Sequence, residues 1–210
     1  MSVDVYGAAL VAATSDASLR AEYDDGYDEI LDVQRWLGAL DRADERLLAR
    51  VTGPALDVGC GPGRLAAALT ARGIDALGVD IAPEAVALAR RRGATVVARS
   101  VFEPLPDEGS YAHVILADGN IGIGGDPLAL LRRCADLLRP AGHVHVEVGA
   151  VGARHGAVRA RLHGADGRVG AWFRWAHVSA ERFGPLAEAA GLTVLETWED
   201  SGRWFADLRT

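Results

Sequence analysis

Leu56-Asp57-Val58-Gly59-Cys60-Gly61-Pro62-Gly63 is the stretch that decides how this chain folds. Ala55 to Val58 is a short apolar run that stops at glycines, and Leu65, Ala66, Ala68 and Leu69 follow it at helical spacing. The stretch therefore reads as strand, glycine turn, helix. Glycines at alternate positions let the backbone turn sharply and leave no side chain between the main chain and a ligand. The helix that begins near Arg64 adds unpaired amides to the same loop.

Outward from this unit, the cycle repeats. Ala76 to Asp80 reads as a strand, Pro83 to Arg92 as a helix and Ala94 to Ala98 as a strand, before a proline-rich loop runs to Gly109. His113 to Ala117 is a further buried strand and Leu128 to Leu138 a helix, stopped by Arg139-Pro140-Ala141-Gly142; His143 to Val148 then alternates as a strand. Strands spaced by helices imply a parallel sheet. Toward the N-terminus, Ile30, Leu31, Val33, Trp36, Leu37, Leu40, Leu47 and Leu48 recur at helical spacing and predict one or two helices over 27–50. Beyond residue 150, Val158 to Leu162 and Val169 to Trp175 flank Gly164-Ala165-Asp166-Gly167 and predict an inserted β-hairpin. A last helix, Ala180 to Ala190, leads into a closing antiparallel hairpin of Leu192 to Trp198 and Trp204 to Leu208.

The 210 residues, half of them apolar, suit one domain with one substantial core. A formal charge of -7 disfavours nucleic acid as a partner. The two cysteines suggest neither a disulfide framework nor a metal cluster, which fits a cytoplasmic protein. No apolar run approaches the roughly 20 residues that a membrane-spanning helix needs.

Asp80 ends the second strand 19 residues after Gly61, where an acidic side chain in an open α/β sheet meets a ribose diol. The glycine spacing is GxGxG. A dinucleotide-binding dehydrogenase pattern, GxGxxG, wants glycine or alanine where this chain has Arg64. Taken together, Leu56 to Gly63 and Val79-Asp80-Ile81-Ala82-Pro83-Glu84 resemble the first two motifs of class I (Rossmann-like) S-adenosylmethionine-dependent methyltransferases. The resemblance is good over residues 50 to 150. It implies a three-layer α/β fold with a mostly parallel seven-stranded sheet, an antiparallel last strand, and S-adenosylmethionine as cofactor. By the same resemblance Gly59, Cys60 and Gly61 border the methionine part, Asp57 organises its amino end through water, Asp80 holds the ribose and Ile81 packs on adenine. Val101 stands where the family commonly has an acid that meets the adenine amine. Backbone groups of Val101 and Phe102 are then left to read the adenine edge, with the Phe102 ring either covering it or filling core.

Ala117-Asp118-Gly119-Asn120-Ile121-Gly122 follows the fourth strand and lies at the same sheet edge, beside the methyl donor. Asp118 is a candidate proton acceptor or cofactor anchor and Asn120 a candidate orienter of substrate, although Asp-Gly-Asn is also ordinary turn chemistry. His177, beside Trp172, Phe173 and Trp175, is a candidate general base where the hairpin covers the cleft. His143, His145 and Glu147 share one strand face without a partner cluster, so no metal is expected. Tyr23, Tyr27 and Trp36 lie in the N-terminal region 1–50, expected as a helical cap over the cofactor, although packing against the sheet gives the same pattern; 51–150 is expected as the cofactor-binding core, 151–178 as the substrate-side hairpin and 179–210 as the last helix and closing hairpin. The Arg90 to Arg92 run ends a helix, where cations complement the dipole. The function expected is methylation of a small-molecule acceptor at oxygen, nitrogen or carbon by direct displacement. The alternative is a non-catalytic protein of the same fold that binds S-adenosylmethionine or S-adenosylhomocysteine.

Overall fold

The computed structural model describes residues 3–12 and 19–210. The chain opens with α1 (Val3–Ala12), β1 (Leu19–Tyr23), β2 (Asp28–Leu31), α2 (Val33–Leu37) and α3 (Arg42–Leu48). The alternating core follows: β3 (Ala55–Val58), α4 (Arg64–Ala71), β4 (Ala76–Asp80), α5 (Pro83–Arg91), β5 (Thr95–Ala98) and β6 (Tyr111–Leu116). A kinked 3₁₀ segment (Asn120–Gly125) leads to α6 (Pro127–Leu137), β7 (Leu138–Val148), β8 (Gly156–Gly164) and β9 (Phe173–His177). The chain closes with α7 (Ala180–Ala189), β10 (Thr193–Asp200) and β11 (Arg203–Arg209).

Seven strands form one sheet in the order β10-β11-β7-β6-β3-β4-β5. β11 is antiparallel to both neighbours, while β7, β6, β3, β4 and β5 are parallel. All four residues of β3 are buried, as an apolar central strand requires. Leu130, Leu131, Cys134 and Leu137 of α6 and Phe183 and Ala187 of α7 pack on one face of the sheet. Leu47 and Leu48 of α3 and Leu65 and Leu69 of α4 pack on the other, with α5 beside α4. Local chemistry sets the helix starts: Asp41 and Asp44 form a reciprocal capping box on α3, and Asp126 caps α6 one residue before Pro127. Chain order reverses between β3 and β6, and this opens a crevice at the C-terminal ends of both strands. The expected three-layer fold with its reversed last strand is present.

The N-terminal segment departs from the helical expectation. Residues 28–31 form β2, paired antiparallel with β1, and Ile30 is 77% exposed on this edge strand instead of joining a helical stripe. β1 alternates apolar and charged side chains, with Leu19, Ala21 and Tyr23 buried. The predicted hairpin pairing of β8 with β9 is also present, but β8 pairs on its other side with β1. A separate antiparallel sheet, β2-β1-β8-β9, therefore joins segments that are more than a hundred residues apart in the chain. β7 begins at Leu138, ahead of the predicted His143, because Leu138 pairs with Tyr111 across an irregularity in register.

Candidate active site

The second sheet stands over the crevice and encloses with it a cavity of about 1040 Å³. The loop Gly59 to Gly63 forms one wall. Gly59 and Gly61 hold φ of +69° and +54°, and a Cβ on Gly61 would lie 2.9 Å from the Tyr6 hydroxyl of α1. Tyr6 and Trp36 meet edge to face at 5.9 Å and both line the cavity, so α1 and α2 cover the glycine loop.

Every residue proposed from sequence for cofactor or acceptor lines this one cavity. Asp80 accepts the amides of Gly61 (2.9 Å) and Ala82 (2.8 Å), one on each oxygen. Each oxygen keeps a lone pair for a further donor. Burial raises the Asp80 carboxyl, and the amides of Ala82 and Gly61 oppose that rise. Burial, with the charge of Asp118 adding to it, pushes the Asp57 carboxyl up to about 7. Its Oδ2 is buried without a partner, and so it is an acceptor held ready beside the loop. Cys60 is a buried thiol that fills space against Gly78, and burial pushes its pKa up, so it is not a nucleophile here. Ile81 and Phe102 are 43% and 45% exposed onto the cavity, apolar surfaces ready for a flat ligand. Val101 and Ala117 are buried.

At the expected adenine edge the Val101 carbonyl accepts Arg133 Nε at 2.8 Å and the Phe102 amide donates to Ser100 Oγ at 3.3 Å. Asn120 is also committed: its Nδ2 donates to the carbonyls of Val58 and Gly59, which ties the 3₁₀ segment to the glycine loop. Asp118, at φ +54°, accepts Arg35 and Arg64 at 2.8 Å each and Arg203 at 3.4 Å. Three guanidinium groups thus anchor the Asp118 carboxylate at the cavity wall. His177 is different. Its Nε2 is buried without a partner, and burial lowers its pKa, which keeps the imidazole neutral and able to take a proton.

A family model described as the methyltransferase domain matches residues 55–142, the segment from β3 into β7. That match includes the glycine loop, Asp80 and the Asp118 loop. The ubiquinone biosynthesis O-methyltransferase of Cereibacter sphaeroides is 36% identical over 92 residues, which is 41% of this chain and 37% of that protein. The chain thus spans well under half the length of such curated relatives. A Bacteroides fragilis S-adenosylmethionine-dependent methyltransferase, solved with S-adenosylhomocysteine, aligns with TM-score 0.82 at 21% identity, covering 99% of this chain and 94% of that one. The 1,6-didemethyltoxoflavin-N1-methyltransferase of Burkholderia thailandensis aligns with TM-score 0.60 at 23% identity over 85% of this chain and 81% of that one.

Beneath the cavity lies a buried ion network that pattern reading missed. Arg203 of β11 donates to Glu147 (2.9 and 2.7 Å), Asp44 (2.8 Å) and Asp41, while Arg64 binds Asp44 and Asp118. Asp44 is fully buried, and Glu147 also accepts the Asp118 amide, so the network fixes the floor of the site. Glu147 is therefore tied to arginine, and His143 and His145 face Asp207, so this strand face holds no open ligand set. Among the described residues no cluster of His, Cys, Asp and Glu is arranged to hold a metal ion, and no helix is long and apolar enough to cross a membrane. Arg92 donates to the last carbonyls of α2 at Trp36 and Leu37, which gives the Arg90 to Arg92 run a structural task in seating that helix.

Proposed function

We propose that the chain binds S-adenosylmethionine along the glycine loop and transfers its methyl group to a small-molecule acceptor held under the second sheet. One observation carries this reading: Asp57, Gly59, Gly61, Asp80, Ile81 and Phe102 line a single cavity that continues beneath Tyr23, Phe173, Trp175 and His177. The residues fit the cofactor. Asp80 offers two lone pairs to a diol, Ile81 and Phe102 offer apolar faces to a purine, and Asp57 offers a buried acceptor to an ammonium group.

The bound sulfonium supplies an activated methyl group that is displaced directly. This chain's own residues align the acceptor, exclude water and remove a proton where the nucleophile carries one. His177 is the proton acceptor in this reading, Asn120 and Asp118 are positioning residues, and α1, α2 and the second sheet close over both ligands. Methylation at oxygen, nitrogen or carbon would use the same donor half. The acidic chain and enclosed cavity favour a small acceptor over nucleic acid. Incubation with methyl-labelled donor and a panel of small acceptors, followed by mass spectrometry, tests the reading: label is expected in an acceptor. Donor binding with no transfer to any acceptor would favour the non-catalytic alternative.

A further inference from the structure

Glu29 of β2 is the cavity carboxylate whose charge the fold leaves unbalanced. Asp118 is paired with arginines, Glu147 with Arg203, Asp80 is held by backbone amides, and the Asp57 carboxyl is pushed up to about 7. Among the described residues, Glu29 has no cationic partner in an ion pair; it accepts the Tyr23 hydroxyl at 2.5 Å. A half-buried carboxylate facing an aromatic cavity is costly unless a ligand completes it.

The groups around Glu29 bear on the ligand's charge. Tyr23 and Tyr27 stack at 5.9 Å, and Arg154 already lays its guanidinium carbon 5.2 and 4.4 Å from their ring centroids. Around these rings Asp25 neutralises Arg154 and Asp28 pairs with Arg20, so Asp24 and Glu29 are the carboxylates of this stretch without an ion pair among the described residues, while Arg99 and Arg174 line the cavity without a carboxylate partner among them. Tyrosine faces next to a free carboxylate attract a cation and repel a phenolate or carboxylate. His177 stands edge-on to Tyr23 at 4.9 Å with Nε2 unpartnered, and Glu29, Asp25 and Arg154 are the charged groups that act on it. A second pocket of about 380 Å³, lined by Asp24, Asp25 and His155, shares Arg154 and His177 with the main cavity. His177 thus stands between the two.

We propose, on the basis of the methyltransferase reading, that the acceptor is an amine whose ammonium form is received by Glu29 and Tyr23 and deprotonated by His177. The proton passes from nitrogen to His177 Nε2 and on to solvent. The freed nitrogen lone pair forms the new N–C bond, the C–S bond breaks with its electrons on sulfur, and the sulfonium becomes a neutral thioether. The positive charge ends on the methylated nitrogen, beside Glu29. A hydroxyl acceptor would gain only a neutral hydrogen bond at this carboxylate.

The test titrates the full chain, saturated with S-adenosylhomocysteine, with matched probes: benzylamine against benzyl alcohol, and tryptamine against indole-3-ethanol. Methyl-labelled donor then reports which of them is methylated. The amines are expected to bind and to gain label on nitrogen, and Glu29→Gln should weaken their binding by about tenfold while leaving S-adenosylhomocysteine affinity unchanged. Label on the alcohols and not on the amines, no binding of either amine to the loaded protein, or an unchanged amine affinity in Glu29→Gln would each overturn the proposal. Failure to bind S-adenosylhomocysteine at all is a separate result and would overturn the methyltransferase reading itself.

Discussion

Asp80 shows how much one side chain carries. Its two oxygens take the amides of Gly61 and Ala82, so it fixes the turn after β4 against the glycine loop before any ligand arrives. In Asp80→Ala, calorimetry should show S-adenosylhomocysteine binding weakened by roughly 1–3 kcal/mol, through loss of charge-assisted bonds to the ribose. Arg203 matters for stability. Its removal leaves buried Glu147 without its cation and Asp44 with Arg64 alone, so Arg203→Met should lower the unfolding free energy by about 3–5 kcal/mol in urea titrations. Asp80 was legible because strand and helix lengths fix its distance from Gly61. The restraint on Asp118 was not, because Arg35, Arg64 and Arg203 reach it from 83, 54 and 85 residues away. No local pattern encodes such pairs.

At the scale of elements, the second sheet makes the crevice a cavity. Its strand β9 lies against the 3₁₀ segment so closely that a Cβ on Gly122 would fall 2.2 Å from the Ala176 carbonyl and 2.6 Å from the Trp175 ring. Gly122→Ala should therefore push β9 outward and lower stability by about 1–3 kcal/mol in urea titrations. The acceptor end should respond more than the donor end. The β8–β9 pairing was readable from two β-prone runs around a glycine-rich turn. The two strands that extend it were not read. β2 is four residues long, and its Ile30 and Leu31 continue the apolar spacing of α2, so periodicity merged strand and helix. The order of the parallel core was legible, since its strands are short apolar runs spaced by helical segments, although the start of β7 was not.

Across the whole molecule, pH should act through a chain of buried imidazoles beneath the sheet. The Thr52 amide donates to His113 Nε2, so His113 carries its proton on Nδ1 and donates to His145 Nε2 at 3.0 Å. Burial is the main cause that lowers His113 to about 4 and His145 to about 3, against 6.5 when solvated. The unfolded chain therefore binds protons that the folded one refuses as pH falls below 6.5, so stability is full above that value and declines toward about 3. Asp57 opposes this in part, because its folded pKa of about 7 lies above its solvated 3.8 and favours the fold at low pH. Burial also raises Asp80, as it does Asp57, and lowers His177, as it does His113 and His145, so three imidazoles stand against two carboxyls and the urea midpoint should fall from neutral pH toward pH 4. A midpoint that rises on acidification would refute this balance. Calorimetric titration of the full chain with S-adenosylhomocysteine tests the donor site at the glycine loop most directly. One site that saturates, weakened in Asp80→Ala, is the predicted result; no binding of S-adenosylhomocysteine or S-adenosylmethionine would contradict it.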